Sequence, residues 1–336
     1  MNDVAFAVTV CVDNPPPFIF DNSAAITPGP TGSAKLVNDD FPVFHWRHDA
    51  RLSYLVWACA MGSISLIQLP YDSGRYDERM GRGPIAVIES GLVEHLRSLG
   101  HEVDVTSVRL SPGLHSEANA LVELQRLTVP LLRDALSRQA RPIILSGNCG
   151  PAALSAVAAL NHCETATIWF DAHADFNTPE TSRSGFLDGM GLAILTGRCW
   201  RRLAERFESF QPVPDSQVIQ IGVRENDPAE VQLLQQSGIK QIPTVALAEL
   251  LEALKQLSTK RVYVHVDLDV IDTSEGRANG WACGGGLSVN QLRNALELIG
   301  HSTSIVAGAV TCYDPVVDVD GRIGRAIPRI VELLAH

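Results

Sequence analysis

The sequence predicts an α/β fold, a doubly wound parallel sheet with helices on both faces, on three observations. From residue 61 onward short apolar runs alternate with helical stretches, the βα rhythm of such folds. Several runs, such as "PIILS" (142–146) and "VYVHVD" (262–267), are almost continuously apolar, as strands buried on both faces require. The stretches between them carry apolar stripes at helical spacing.

The elements follow in order. Strands are expected over 64–69, 102–106, 142–146, 166–170, 217–222, 262–267 and 305–310. Helices are expected over 84–99, 118–139, 151–160, 228–237, 245–257 and 288–299. The segment "LSVNQLRNALELIG" (287–300) shows the logic. Ser288 is placed to cap the helix, Leu292, Ala295, Leu296 and Ile299 form its stripe, and Gly300 closes it.

Residues 1–60 read differently. "DNPPPF", "TPGPTGS" and "NDDFP" are rich in Pro, Gly, Ser and Asp without periodicity, so an irregular N-terminal extension is expected ahead of an α/β domain at 61–336. Met61 directly precedes the first strand, and a shorter protein starting there is a second reading of the gene. The run 52–70 is the membrane candidate. Polar Ser53, Ser63, Ser65 and Gln68, together with Gly62, interrupt it, and it barely reaches the roughly 18–20 apolar residues a span needs. Residues 64–69 are better read as a buried strand.

Composition narrows the function. The chain has 336 residues, 46% hydrophobic, enough for a substantial core. A net charge of −11 argues against nucleic acid or an anionic membrane as partner. The seven cysteines (Cys11, Cys59, Cys149, Cys163, Cys199, Cys283 and Cys312) are odd in number, widely spaced and form no CxxC. With Asn2 and Asp3 in place of a basic leader, they fit a reducing, cytoplasmic setting.

In doubly wound sheets ligands bind beyond the carboxyl ends of the strands, so the polar residues after each apolar run matter most. "IWFDAHADFN" (168–177) gives Asp171, His173 and Asp175, and "VYVHVDLDVID" (262–272) gives Asp267 and Asp269. Residues two apart on an extended chain project to one side. Four carboxylates aimed into one crevice repel one another. Two divalent cations remove the difficulty, and an oxygen-rich set with one imidazole suits Mn²⁺, with other divalent metals as alternatives. A single Asp after a strand would be read as a cap or turn residue, whereas the paired pattern favours metal ligation. A third strand end, "IILSGNCG" (143–150), carries Cys149 into the next helix.

These blocks, "SGNCG", "DAHADFNTPETSRSG" and "VDLDVID", in this order, resemble the ureohydrolases: arginase, agmatinase and formiminoglutamase. The resemblance covers roughly 62–336. It implies a mostly parallel eight-stranded sheet, a binuclear Mn²⁺ centre, hydrolysis of a guanidino or amidino C–N bond, and a trimer or hexamer. It further implies that Asp171 and Asp267 bridge the metals, His173 and Asp269 bind one, and Asp175 binds the other. The remaining ligand of the family is a His, and Cys149 stands in its place, as in some arginase-like amidinohydrolases, one of them acting on N-hydroxyarginine. Softer thiolate ligation implies changed rather than abolished metal affinity. Asn177 and Ser184 match residues that bind the α-carboxylate of arginine, and Asp227 in "IGVRENDPAE" (221–230) matches the acid reading its α-amino group. Turn chemistry before Pro179 and Pro228 is the plain alternative for Asn177 and Asp227.

Two departures concern the reacting end. Asp188 in "SGFLDGM" (184–190) stands where arginase has a proton-shuttling His, and a carboxylate can also move protons. Cys312 in "VTCYDP" (310–315) stands where a glutamate holds the guanidinium, and Asp314 replaces it only if the loop shifts. Loss of that charge-assisted bond implies a substrate less basic than arginine, such as an N-hydroxyguanidine. Other features are weaker. Gly284–Gly286 is read as a close approach of backbone near the site, His265 as packing behind the ligands, "DVDG" (318–321) as a turn, and His45 and His48 as solvated.

The expected activity is metal-assisted hydrolysis, with Asp188 protonating the leaving amine. Two rivals stand beside it. "DLDV" (267–270) matches a phosphatase motif, although it comes late in the chain. The changes at 149, 188 and 312 also suit a non-catalytic or single-metal relative.

Overall fold

Eight strands form one parallel sheet in the computed structural model, which describes residues 62–336 apart from Leu114, His162, Cys163 and Glu208. The expected extension, Met61, His45 and His48 lie outside the described residues. The strands are β1 Ser63–Leu69, β2 Glu102–Ser107, β3 Arg141–Ser146, β4 Ala166–Phe170, β5 Val218–Ile221, β6 Lys240–Ile242, β7 Arg261–Asp267 and β8 Ser304–Thr311. They lie in the order β2-β1-β3-β8-β7-β4-β5-β6, and every pairing is parallel.

The α-helices are α1 Gly83–Glu89, α2 Leu92–Ser98, α3 Glu117–Ser137, α4 Cys149–Ala159, α5 Gly191–Leu195, α6 Arg201–Ala204, α7 Pro228–Gln235, α8 Leu247–Gln256, α9 Val289–Ser302 and α10 Arg322–Ala335. Successive strand residues face opposite sides, and both sides are apolar. Ile144 and Trp169 pack in one core with α3, α4 and α5. Ile143, Ile168 and Phe170 pack in the other with α2, α8, α9 and α10. Two covered faces explain why these strands read as continuous apolar runs.

Several elements differ from expectation. The helix expected over 84–99 is two helices, because Gly91 takes a left-handed φ of +95° between them, a conformation that suits glycine. Gly300 does not close α9. Ser288 caps that helix with a capping box to Gln291, and the helix ends at Thr303, whose N–H donates to the Ile299 carbonyl at 2.9 Å. A glycine inside the last turn costs about 1 kcal/mol relative to alanine, which buried Leu292, Ala295, Leu296 and Ile299 offset. Strand β6 and helix α10 were not expected. Among the described residues no helix is long and apolar enough to cross a membrane, and the candidate run ends in β1, buried and paired on both sides.

Candidate metal centre

Four adjacent strands end at one crevice. At the end of β8, Thr311 pairs with Ser146 of β3 on one side and with Asp267 of β7 on the other, while Val266 pairs with Phe170 of β4. In-register parallel strands therefore bring the residues that follow them together. These are Cys149 after β3, Asp171, His173 and Asp175 after β4, Asp267 and Asp269 from β7, and Cys312 after β8. All are buried except the partly buried His173.

Local hydrogen bonds fix the carboxylates. Asp171 accepts from the Trp169 indole N–H at 2.9 Å and from the His173 backbone N–H at 2.7 Å. Asp267 accepts from the Asp269 N–H at 2.9 Å and from the Cys149 thiol at 3.1 Å. Asp269 accepts from the Ala172 N–H at 3.2 Å and the Asn279 amide at 3.4 Å. His173 Nδ1 lies 3.4 Å from Asp171 and 3.2 Å from Asp269. Asp175 has a left-handed backbone, φ +51°, held because its carbonyl accepts from the Leu192 and Ala193 N–H groups at 2.9 and 3.0 Å. Such strain in a non-glycine residue marks positions the surroundings impose.

Donor atoms of Asp171, His173 and Asp269 lie within 4.8 Å of one another, as do those of Cys149, Asp171 and Asp267, and those of Cys149, Asp188 and Cys312. Asp171 belongs to two of these sets and so stands between them. Asp175 lines the same cavity but belongs to none of the three.

The electrostatics fit a cation. Burial and the Asp269 charge lift the Asp171 carboxyl to about 6. Burial and neighbouring carboxylates push Asp175 and Asp267 well above the ordinary range. Burial opposes the charged form of Asp269, but His173 and the Ala172 N–H hold it below that range. Burial likewise opposes charge on His173, and Asp171 and Asp269 more than offset it, raising its imidazole. One imidazole cannot neutralise four buried acids, and oxygen and nitrogen donors of this kind match a hard divalent ion.

Asp188 sits beside the start of α4. Its Oδ1 accepts from the Gly150 N–H at 3.0 Å and its Oδ2 from the Asn148 amide at 2.7 Å. Burial lifts its carboxyl to about 7 against these two donors. Asn177, Ser184 and Asp227 line the same cavity, whose volume is about 260 Å³. The Asn177 amide lies 3.4 Å from Asp227, and the Ser184 hydroxyl accepts from the Phe186 N–H at 3.1 Å. Asp227 also caps α7 in a capping box with Glu230, so turn chemistry and a place on the cavity wall coexist. Asp314 is turned to its own loop, where it accepts from the Val316 N–H at 3.0 Å. The loop shift that would let it stand in for a guanidinium-holding carboxylate is not present.

His265 packs behind the site. It stacks on Trp169 with centroids 3.9 Å apart and bonds the Tyr263 hydroxyl at 2.8 Å, and burial lowers its pKa to about 3. At Gly286 a Cβ would lie 2.5 Å from the Val270 carbonyl and 2.6 Å from the Arg224 guanidinium, so the glycine run does permit a close backbone approach. "DLDV" starts at Asp267, the last residue of β7, and runs on as a short 3-10 turn.

A protein-family model described as the arginase family matches residues 62–335. The chain belongs to the arginase family. It is similar to arginase of Bacillus caldovelox, 26% identical over 277 residues covering 77% of this chain and 93% of that protein. Arginase of Staphylococcus aureus strain MRSA252 is 29% identical over 276 residues, covering 76% and 91%. The crystal structure of Bacillus subtilis arginase matches with a TM-score of 0.73 at 25% identity, covering 81% of this chain and 98% of that one. The fold also matches that of the agmatine ureohydrolase of Thermoplasma volcanium, TM-score 0.62 at 16% identity, covering 82% and 89%. The protein is thus an arginase-family hydrolase.

One contributor to this arginase-family site escapes sequence reasoning. Asn279 is fully buried, and its amide donates to the Cys312 carbonyl at 2.8 Å as well as to Asp269. It lies in the loop "RANGWACGGG" (277–286), where neither period-two nor helical patterning marks a residue as inward-facing. Trp281, stacked on Phe186 at 5.7 Å, forms the exposed cavity rim from the same loop.

Proposed function

We propose that this arginase-family hydrolase cleaves the C–N bond of a guanidino or amidino group on an arginine-like or N-hydroxyarginine-like amino acid, using two divalent cations. The convergence of four strand ends on one cluster of buried acids carries the reading. Asp171, His173, Asp175, Asp267, Asp269 and Cys149 would hold the cations, with Mn²⁺ suited to the oxygen-rich side. When bound, such a pair supplies an activated water and offsets the carboxylate charge.

The chain's own residues do the rest. Asn177 and Ser184 bind the substrate carboxylate and Asp227 its ammonium, placing the amidino carbon over the crevice. Water adds its oxygen to that carbon, the C–N bond breaks, and the departing nitrogen takes a proton. Asp188, which lines the cavity with its carboxyl lifted to about 7, would deliver it. Cys312 offers no carboxylate to a cationic guanidinium, which favours a less basic N-hydroxyguanidine. We further propose a reducing, cytoplasmic setting and a trimeric or hexameric assembly, which light scattering checks.

The test is a substrate panel of arginine, N-hydroxyarginine, agmatine, guanidinobutyrate and formiminoglutamate, assayed with Mn²⁺ for urea, hydroxyurea or amide release. Turnover of an amino acid above agmatine is expected. Agmatine turned over at least as well would reject the roles of Asn177, Ser184 and Asp227. Asp227→Ala is expected to raise KM for the amino acids roughly tenfold or more, the value of one charged hydrogen bond at about 1.5–3 kcal/mol, and to leave agmatine unaffected. A single-metal or non-catalytic protein is the second reading, favoured by Asp175 lying outside all three donor sets. Metal-loaded protein that turns over none of the panel would support it.

A further inference from the structure

Cys149 and Cys312 reach the crevice from adjacent strands, and their sulfurs lie 3.5 Å apart. Both are buried and both are free thiols. The Asp267 carboxyl lies 3.1 Å from the Cys149 sulfur, and the Asp188 carboxyl 3.9 Å from that of Cys312. Cys312 is held there at a cost. Its φ is +61°, a left-handed conformation that a non-glycine residue keeps only where its surroundings impose it. Its N–H donates to the Ser146 carbonyl at 3.1 Å, and its carbonyl accepts from the Asn279 amide at 2.8 Å. The side chain lines the cavity.

Packing alone does not require this arrangement. A thiol is a small hydrophobe and a weak hydrogen-bond donor, and an ordinary apolar residue would fill the same space. Two sulfurs and a carboxylate facing an open cavity are instead a donor set for a thiophilic ion.

We propose that the cation held at Cys149 is a soft one of the zinc class, with Cys149, Cys312 and Asp267 as its protein ligands. The cavity supplies the open fourth position, the arrangement of catalytic zinc sites. This rests on the two-cation reading above and gives it unequal halves: Mn²⁺ at Asp171, His173 and Asp269, and a zinc-class ion at the sulfurs, with Asp175, outside the three donor sets, giving up the ligand role it had there. Binding releases the two thiol protons to solvent. Asp188, whose carboxylate also closes a set with both sulfurs, is left to the proton transfer proposed above. Cys312 then gains a ligand role in the place where the guanidinium-holding carboxylate is missing.

The test uses the full chain, reduced, stripped with a chelator and reloaded with Mn²⁺ and Zn²⁺ together. Zinc X-ray absorption counts the sulfur neighbours, expected at about 2.3 Å. Two sulfurs on zinc are expected in the wild type and one in Cys312→Ser, with manganese retained in both. The variant should also bind zinc more weakly by at least about tenfold, the lower end of what outer partners alone contribute at metal sites. One sulfur or none in the wild type, with metal bound, overturns the proposal alone, and this count needs no variant to fold. Retention of neither metal overturns the two-cation reading itself.

Discussion

Asn279 shows how much one uncharged residue contributes to the site. Its amide spans the Cys312 carbonyl and the Asp269 carboxylate, so it positions a strained backbone and a candidate ligand together. Asn279→Ala leaves a buried carbonyl without its donor, a loss of about 1–3 kcal/mol. It should weaken Mn²⁺ binding about 10–100-fold, the usual effect of removing a group that orients a metal ligand. Urea unfolding and a Mn²⁺ titration check both, and wild-type values in either would remove the residue from the site. Gly147 matters for the opposite reason. A Cβ there would lie 2.3 Å from the Tyr71 carbonyl and 2.8 Å from Gly81 backbone atoms. Gly147→Ala must therefore displace the loop that delivers Cys149, at a cost of about 1–3 kcal/mol in the range of overpacked positions. A thermal midpoint equal to wild type would contradict that.

At the scale of elements, legibility follows burial. The long strands can be read from sequence because both faces are covered, and the candidate metal donors stand out because they extend a period-two pattern past a strand end. Strand β6 has three residues at the sheet edge and only Ile242 buried, too little to leave a pattern. Helix α10 buries Ile323, Ile327, Ile330, Val331 and Leu334, but Gly324 and Pro328 are poor helix formers that speak against a helix there. Cys149 and Cys312 meet only through strand order, which no local spacing encodes. The segment carrying Asp175 is braced from outside in a similarly non-local way. Arg198 stacks over the Phe176 ring at 4.4 Å and makes a two-pronged bond to Asp215, one arm at 2.7 Å. The Arg198 bond holds the Asp215 carboxyl below its ordinary range against a partial burial that opposes it. A depressed folded pKa stabilises above the unfolded value, near about 3.9, and the benefit fades as pH falls through the folded value. Asp215→Asn should therefore cost on the order of 1 kcal/mol near neutrality. In urea unfolding its gap from wild type should close under acid, and a gap that persists there would mean the pair's charge is not the cause.

For the whole molecule, a sheet that gathers four buried acids at its centre gains stability from any cation that offsets their charge. Cation removal should consequently lower stability as well as activity. Saturation at a hundredfold excess over Kd contributes about 2.7 kcal/mol per site when the unfolded chain does not bind, so chelation should lower the thermal midpoint and Mn²⁺ should restore it. An unchanged midpoint would mean that the crevice does not hold a cation in the folded protein. Most direct is the number of metal ions retained per chain after loading and desalting, measured by plasma mass spectrometry on the wild type and on Asp267→Ala. Two divalent ions in the wild type, with at least one lost in the variant, is the expected result. Fewer than one per chain in the wild type, or equal counts in the two proteins, would contradict a two-cation centre built on the ends of β3, β4, β7 and β8.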